Sequence, residues 1–314
     1  MKPRAPAAAF IRVGGVHNGP AMDELAFVLA VVSALLHAVW NASLKGCRDG
    51  AACIMAAALL QALAAPVVLL LATNAEQWRA AWVLILASSA IHVGYRLALA
   101  KAFQTGSLSQ AYAVARSSPV FIALGGWLIL GEQLSAGAWL SIGVMLAGVM
   151  LLYTRELGSL FRAEPGQQGS GTAFFWAMAT MLTVTSYSLS DKAGVLRMDP
   201  VGFYFATTLL SMALYGASLP LHAGGEARVR ALREAWRSER MRILSVAVLE
   251  PASYILVLVA FTRAPAGMVS AVRQVSVPVA ALIGVYLFKE PAGSLRIAGA
   301  ALVAVGAVGI KYLG

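Results

Sequence analysis

Two arginines lie deep inside apolar runs. Arg116 is about ten residues into the run 107–130, and Arg273 about eight into the run 266–288. A charge at the bilayer centre costs several kcal/mol unless it is paired or wet, so such a residue is a functional candidate by default. Two inward guanidiniums could hold carboxylate, phosphate or phosphonate oxygens through paired N–H donors. Gln274 adds an amide beside Arg273. Glu250, near the middle of the run 243–262, is the one deep acid. It could neutralise an arginine as a buried ion pair. Alternatively, a carboxylate in low dielectric can load and release a proton, which makes Glu250 the proton-coupling candidate. Pro251 disturbs the backbone beside it and frees carbonyls that could line a cavity.

His37 and Asn41 are one helical turn apart on the first run, with Trp40 near the same face. Such a histidine serves either as an interhelix contact or as a substrate ligand. Tyr112, Tyr187 and Tyr254 offer hydroxyls and aromatic faces to a substrate, or pack as interfacial anchors. His92, Tyr95 and Arg96 add polarity to the third run, Arg96 by reaching toward the interface. Lys45 and Lys192, the latter preceded by Asp191, follow the first and sixth runs. They read either as interfacial anchors or as charges at a mouth or gate. Glu132 and Glu290 end the fourth and ninth runs and are expected to cap the next helices. Cys47 and Cys53, with no histidine cluster nearby, make no zinc site. The chain has no phosphate-binding loop and no nucleophile motif, so no metal, cofactor or enzymatic activity is expected.

These residues must be positioned by membrane helices. The chain has 314 residues, of which 60% are hydrophobic and 12% charged. Mean hydropathy is +0.76. A soluble fold cannot hide that much apolar surface, and about 25% charged residues would be ordinary for one. The apolar runs are continuous rather than alternating, which argues against a barrel. Ten runs are long enough to span: 25–44, 51–73, 80–102, 107–130, 135–153, 172–190, 200–221, 243–262, 266–288 and 294–313. The fold class is therefore all-α integral membrane.

The net charge is +10. The basic residues sit mostly in loops and lack interleaved aromatics, so they address lipid headgroups rather than nucleic acid. Residues 222–242 hold six arginines and read as an amphipathic surface helix. Residues 1–23 read as a basic tail, with Met22 an alternative start, and 154–171 as a polar linker. An even number of spans puts both termini on one side. Eight Lys and Arg fall on that side and thirteen on the other. The positive-inside rule thus favours the far side as cytoplasmic.

The halves 24–153 and 172–314 read as repeats. A shift of 158 residues places Phe103 on Phe261, Val114 on Val272, Ala123-Leu124 on Ala281-Leu282, Gly126 on Gly284, Glu132 on Glu290 and Gly148 on Gly306. The first spans need a shift of 147, which places Lys45 on Lys192 and Trp40 on Tyr187. Five spans per half reverse the orientation, giving inverted repeats with a site near the midplane between them.

The stretches LLHAVWNASLK (35–45), GSLSQAYAVARSSPVFIALGGWLILGEQLS (106–135), SYSLSDKAG (186–194) and APAGMVSAVRQVSVPVAALIGVYLFKEP (264–291) resemble the drug/metabolite transporter superfamily, in its EamA-domain branch. The pattern of Pro119 with Glu132 and Pro278 with Glu290 is its most specific part, although the spacings differ by one residue. The resemblance implies a ten-helix carrier with a central cavity, in the inner (cytoplasmic) membrane, working by alternating access with export preferred. It also implies cytoplasmic termini, which the charge count contradicts. The residues point to a small anionic or zwitterionic cargo: an amino acid, organic acid or phosphonate. Protons are the candidate coupling ion. A monomer or homodimer would serve. The competing readings are a lipophilic-cation efflux carrier and a non-transporting or lipid-flipping subunit.

Overall fold

The computed structural model describes residues 22–105, 114–154, 170–218, 225–288 and 294–314. Tyr112, Glu290, residues 1–21 of the N-terminal tail and nearly all of the 154–171 linker lie outside them. The described residues form helices and no strand. They are α1 (Glu24–Lys45), α2 (Gly50–Ala72), α3 (Ala75–Thr105), α4 (Ser118–Gly125), α5 (Ala136–Leu152), α6 (Ser170–Val195), α7 (Pro200–Ser218), α8 (Gly225–Phe261), α9 (Ala266–Val272), α10 (Ser276–Phe288) and α11 (Ser294–Leu313). Among the described residues, six helical stretches are long and apolar enough to cross a membrane, α1, α2 and α11 included. Shorter apolar stretches are Ser118–Leu130, Ala136–Leu152 and Pro200–Tyr215.

Small polar residues start the helices by accepting bonds from otherwise orphaned N–H groups. Asp23 caps α1 through Ala26 N at 2.6 Å, and Asp49 caps α2 through Ala52 N at 2.9 Å. Asn74, Ser135 and Asp199 do the same for α3, α5 and α7. Two helices break where proline removes a donor and crowds the preceding turn. Pro119 lies just inside α4, after a turn at Arg116-Ser117. Pro278 follows the 3-10 turn Arg273–Val275 that separates α9 from α10. Each deep arginine therefore sits at a break in its span.

The packing relates the halves. α1 lies along α8 as α6 lies along α3, and α2 meets α8 as α7 meets α3. α4 packs on α9, and α5 on α11. Exchanging the first five elements for their counterparts leaves this pattern unchanged. The α5–α11 seam is close. A Cβ on Gly148 would meet Gly299 O at 2.7 Å, and one on Gly299 would meet Gly148 O at 2.7 Å, so only hydrogen fits at this crossing.

The two ends of the bundle differ. The main core draws on the start of α1 and α3 (Ala26, Ala30, Ala81, Ile85) and on the ends of α6 and α8 (Leu189, Val195, Leu258, Phe261). It also takes in nearly all of α9. These segments share the end that carries residue 23 and residue 313, where Arg263 pairs with Asp23 and Ser135 Oγ donates to Leu313 O. We call this the terminal end. At the opposite end the core splits in two. Ala52, Cys53, Ala56, Ala57, Ala235, Ile243 and Val246 form one cluster, and Val114, Ala173, Ala177 and Met181 another.

Candidate functional site

Polar side chains gather between these ends. Arg116 donates to Gln274 Oε1 at 3.2 Å and to Ser276 Oγ at 3.3 Å. Gln274 Nε2 returns a bond to Arg116 O at 3.1 Å. The two residues are 158 apart, the shift that relates the repeats, so the broken spans meet at equivalent positions. The Pro breaks expose the backbone that makes this exchange possible.

Arg273 lies over the Tyr254 ring, 5.4 Å from its centroid, and 3.5 Å from His37 Nδ1. Its Nε is buried without a protein acceptor, and so is Trp40 Nε1. His37 meets Trp40 edge-on with centroids 5.0 Å apart. Asn41 lies off this group. Its amide donates to His37 O, within its own helix. No carboxylate stands within ion-pair distance of Arg116 or Arg273 among the described residues. Glu250 is instead held by Gln61 Nε2 at 3.0 Å and Tyr204 Oη at 2.7 Å. The buried pair of Glu250 with a deep arginine is therefore not formed. Arg96 is occupied with a long contact to Met212 Sδ at 3.7 Å.

Asp191 is buried and accepts from Ser88 Oγ and Tyr254 Oη. His92 Nε2 lies 3.3 Å from Oδ2, the oxygen that Tyr254 also reaches. Tyr187 stacks on His92, with centroids 4.2 Å apart and planes at 20°. Tyr95 meets Tyr187 edge-on. His37, Trp40, His92, Tyr187, Glu250, Tyr254 and Arg273 are all half-buried. They form one aromatic and charged wall from α1, α3, α6, α8 and the 3-10 turn.

The next residue on α6 does something else. Lys192 and Glu132 lie 3.3 Å apart, with side chains only 4% and 2% exposed. Lys192 Nζ donates to Phe261 O, the last carbonyl of α8, and, at 2.9 Å, to Ala264 O in the turn that follows. Glu132 accepts from Ala266 N, 3.0 Å from each oxygen, at the start of α9. The pair thus caps both sides of the α8–α9 turn. Burial pushes the Glu132 carboxyl above its usual range, while the Lys192 ammonium and the Ala266 N–H pull it back. Gly131, at φ +70°, turns the chain so that Glu132 points inward.

Two expectations are corrected here. Glu132 does not cap the following helix, because Ser135 does that and Glu132 reaches the other half of the chain. Lys192 is no interfacial anchor, because Glu132 Oε1, the carbonyl oxygens of Phe261 and Ala264 and apolar packing enclose it. Its repeat partner Lys45 is exposed at the end of α1. Asp191 is likewise inside the polar wall. Gln61, Ser88, Tyr204 and Ser276 were not singled out from sequence. Gln61 is the one strongly polar side chain in the otherwise apolar α2, a signal that could have found it.

The profile of the EamA-like transporter family matches residues 24–154 and 171–312, nearly the whole chain in two copies. The chain belongs to the EamA-like transporter family. It is a multi-pass membrane transporter of the drug/metabolite transporter superfamily. No curated protein matches it. One crystal structure, titled only as that of a protein, is similar with a TM-score of 0.62 at 18% identity, covering 92% of this chain and 96% of its own. At that identity the likeness concerns the fold.

Proposed function

We propose that this protein is a secondary transporter that moves a small anionic or zwitterionic metabolite by alternating access. The observation that carries the reading is the charge balance at mid-depth. Arg116 and Arg273 have no carboxylate partner among the described residues, whereas Asp191 and Glu250 are already hydrogen-bonded by protein donors. Arg273 Nε and Trp40 Nε1 are buried donors without an acceptor. Leaving such a group unsatisfied costs about 1–3 kcal/mol, which an anionic cargo would offset. The same balance weighs against a lipophilic-cation carrier, which needs a free acid. Amino acids, organic acids and phosphonates share the required anionic group. Tyr187 and Tyr254 would form the wall beside it.

The architecture we propose is ten spans as two inverted five-helix repeats. The unchanged contact pattern on exchange of the halves and the breaks at Arg116 and Arg273 support it. The terminal end would be the closed gate, held by Lys192 and Glu132. The opposite end, where the core divides, would be the open mouth, with Lys45 at its rim. Glu250, held by neutral donors only, is the proposed proton carrier. Export across an inner membrane is the proposed direction and place.

The test is ligand stabilisation of purified protein with panels of amino acids, organic acids, phosphonates and lipophilic cations. A ligand that binds the native state alone raises the melting temperature. We expect a shift with an anionic class that falls at least tenfold in affinity in Arg273→Ala and in Arg116→Ala, both variants remaining folded. A charge-assisted hydrogen bond is worth about 1.5–3 kcal/mol, or roughly ten- to a hundredfold. A shift with lipophilic cations alone would sink the reading.

A further inference from the structure

α8 begins as an arm outside the span. Glu239 leaves helical geometry (φ −127°, ψ 18°) and divides the arm from the span that carries Glu250 and Tyr254. Arg242 pairs with Glu239 across this bend. Arg242 also lies against the end of α1, where a Cβ on Gly46 would meet its Nε at 3.1 Å. The inner face of the arm is fixed. Ala235 is buried in a cluster with Ala52, Cys53 and Ala56 of α2, and Ala231 and Leu232 pack on it. The arm therefore rests at the level of the α1–α2 turn, where spans leave the hydrocarbon.

The outer face is charged, and among the described residues its arginines stand alone beyond the one ion pair of Arg230 with Glu226 at 3.7 Å. Arg233 and Arg237 are one turn apart and Arg240 follows the bend, and all three are exposed. No carboxylate pairs with any of them among the described residues. Val229 and Trp236 are 45% and 42% exposed on that side. Apolar side chains beside arginines, at the depth of helix ends, match the two layers of a bilayer interface.

We propose that this arm is a binding site for anionic phospholipid headgroups. Arg233, Arg237 and Arg240 receive the phosphates, and Trp236 enters the acyl boundary beside them. A guanidinium grips phosphate through paired donors, and the attraction of three such charges to an anionic surface amounts to about a hundredfold in affinity. Because the arm and the eighth span are one chain clamped at Glu239 and Arg242, the lipid bears on the helix that holds Glu250 and Tyr254. This proposal stands apart from the choice of cargo.

The experiment uses full-length protein in detergent, titrated with phosphatidylglycerol or with phosphatidylcholine. Lipid adducts are counted by native mass spectrometry and stability is followed by thermal unfolding. Wild type should retain phosphatidylglycerol in preference to phosphatidylcholine, with a raised melting temperature that 0.5 M salt largely removes. Arg233→Gln/Arg237→Gln/Arg240→Gln should keep the wild-type melting temperature in phosphatidylcholine and lose most of the preference. If the triple variant does not fold, Arg237→Gln alone should lose several-fold. Equal retention of both lipids by wild type, or an unchanged preference in the variants, would overturn the proposal.

Discussion

The two ends of the bundle are built on opposite plans. At the terminal end, α1, α6, α8 and α9 share one core, and main-chain ends are capped by Lys192 and Glu132 from distant parts of the chain. At the other end the buried side chains separate into one cluster around α2 and α8 and another around Val114 and the start of α6. The difference is chemical as well as steric. A capped, dehydrated ion pair holds a seam only in one geometry, because every donor and acceptor is committed. Two small clusters, half or more alanine, bury less apolar surface and can part at modest cost. The polar wall lies between these regimes, where a cargo could be reached from one side and sealed from the other.

The largest effect is expected from breaking the terminal seam. Lys192→Met leaves Glu132 buried without its partner and should cost about 3–5 kcal/mol, seen as a collapse of thermal stability in detergent. Adding Glu132→Gln to it should recover part of the loss. A double variant no better than the single one would show that the pair does not act as a unit.

A second experiment compares the ends directly. In a variant lacking Cys47 and Cys53, a cysteine at Asn41 should react with a water-soluble maleimide at least about tenfold faster than one at Val257, which is 1% exposed. Equal rates would mean that the divided end is no more open than the sealed one. The smallest structural effect belongs to Glu250→Gln. It keeps an acceptor for Gln61 and Tyr204 and should change stability by about 1 kcal/mol or less. Transport in vesicles should nevertheless lose its dependence on a pH gradient. Unchanged dependence would remove Glu250 from proton coupling.

Much of this was legible in the residues. Apolar runs locate the helices because a bilayer leaves the backbone no partner but itself. Arg116 and Arg273 stood out because charge at that depth is costly, and a proline stands within five residues of each. The partners were not legible. Lys192 and Glu132 are far apart in sequence, and helical periodicity says which face a residue occupies but not which helix faces it. That is why Lys192 read as either an anchor or a gate charge, and Glu250 as either an arginine's counter-ion or a proton carrier. Tyr204 carries no signal of its own, since an interfacial tyrosine and a buried hydroxyl donor look alike in sequence.

The adjacency of Asp191 and Lys192 has a mechanical consequence. Neighbours on a helix differ by only about 1.5 Å in height and by about 100° in direction. One therefore reports to the polar wall and the other to the seam, through a single stiff rod. A tilt or roll of α6 that frees Lys192 from the carbonyls of Phe261 and Ala264 must also shift Asp191 against Ser88, His92 and Tyr254. The two contacts form the arms of one lever, and neither can be tuned by substitution without loading the other.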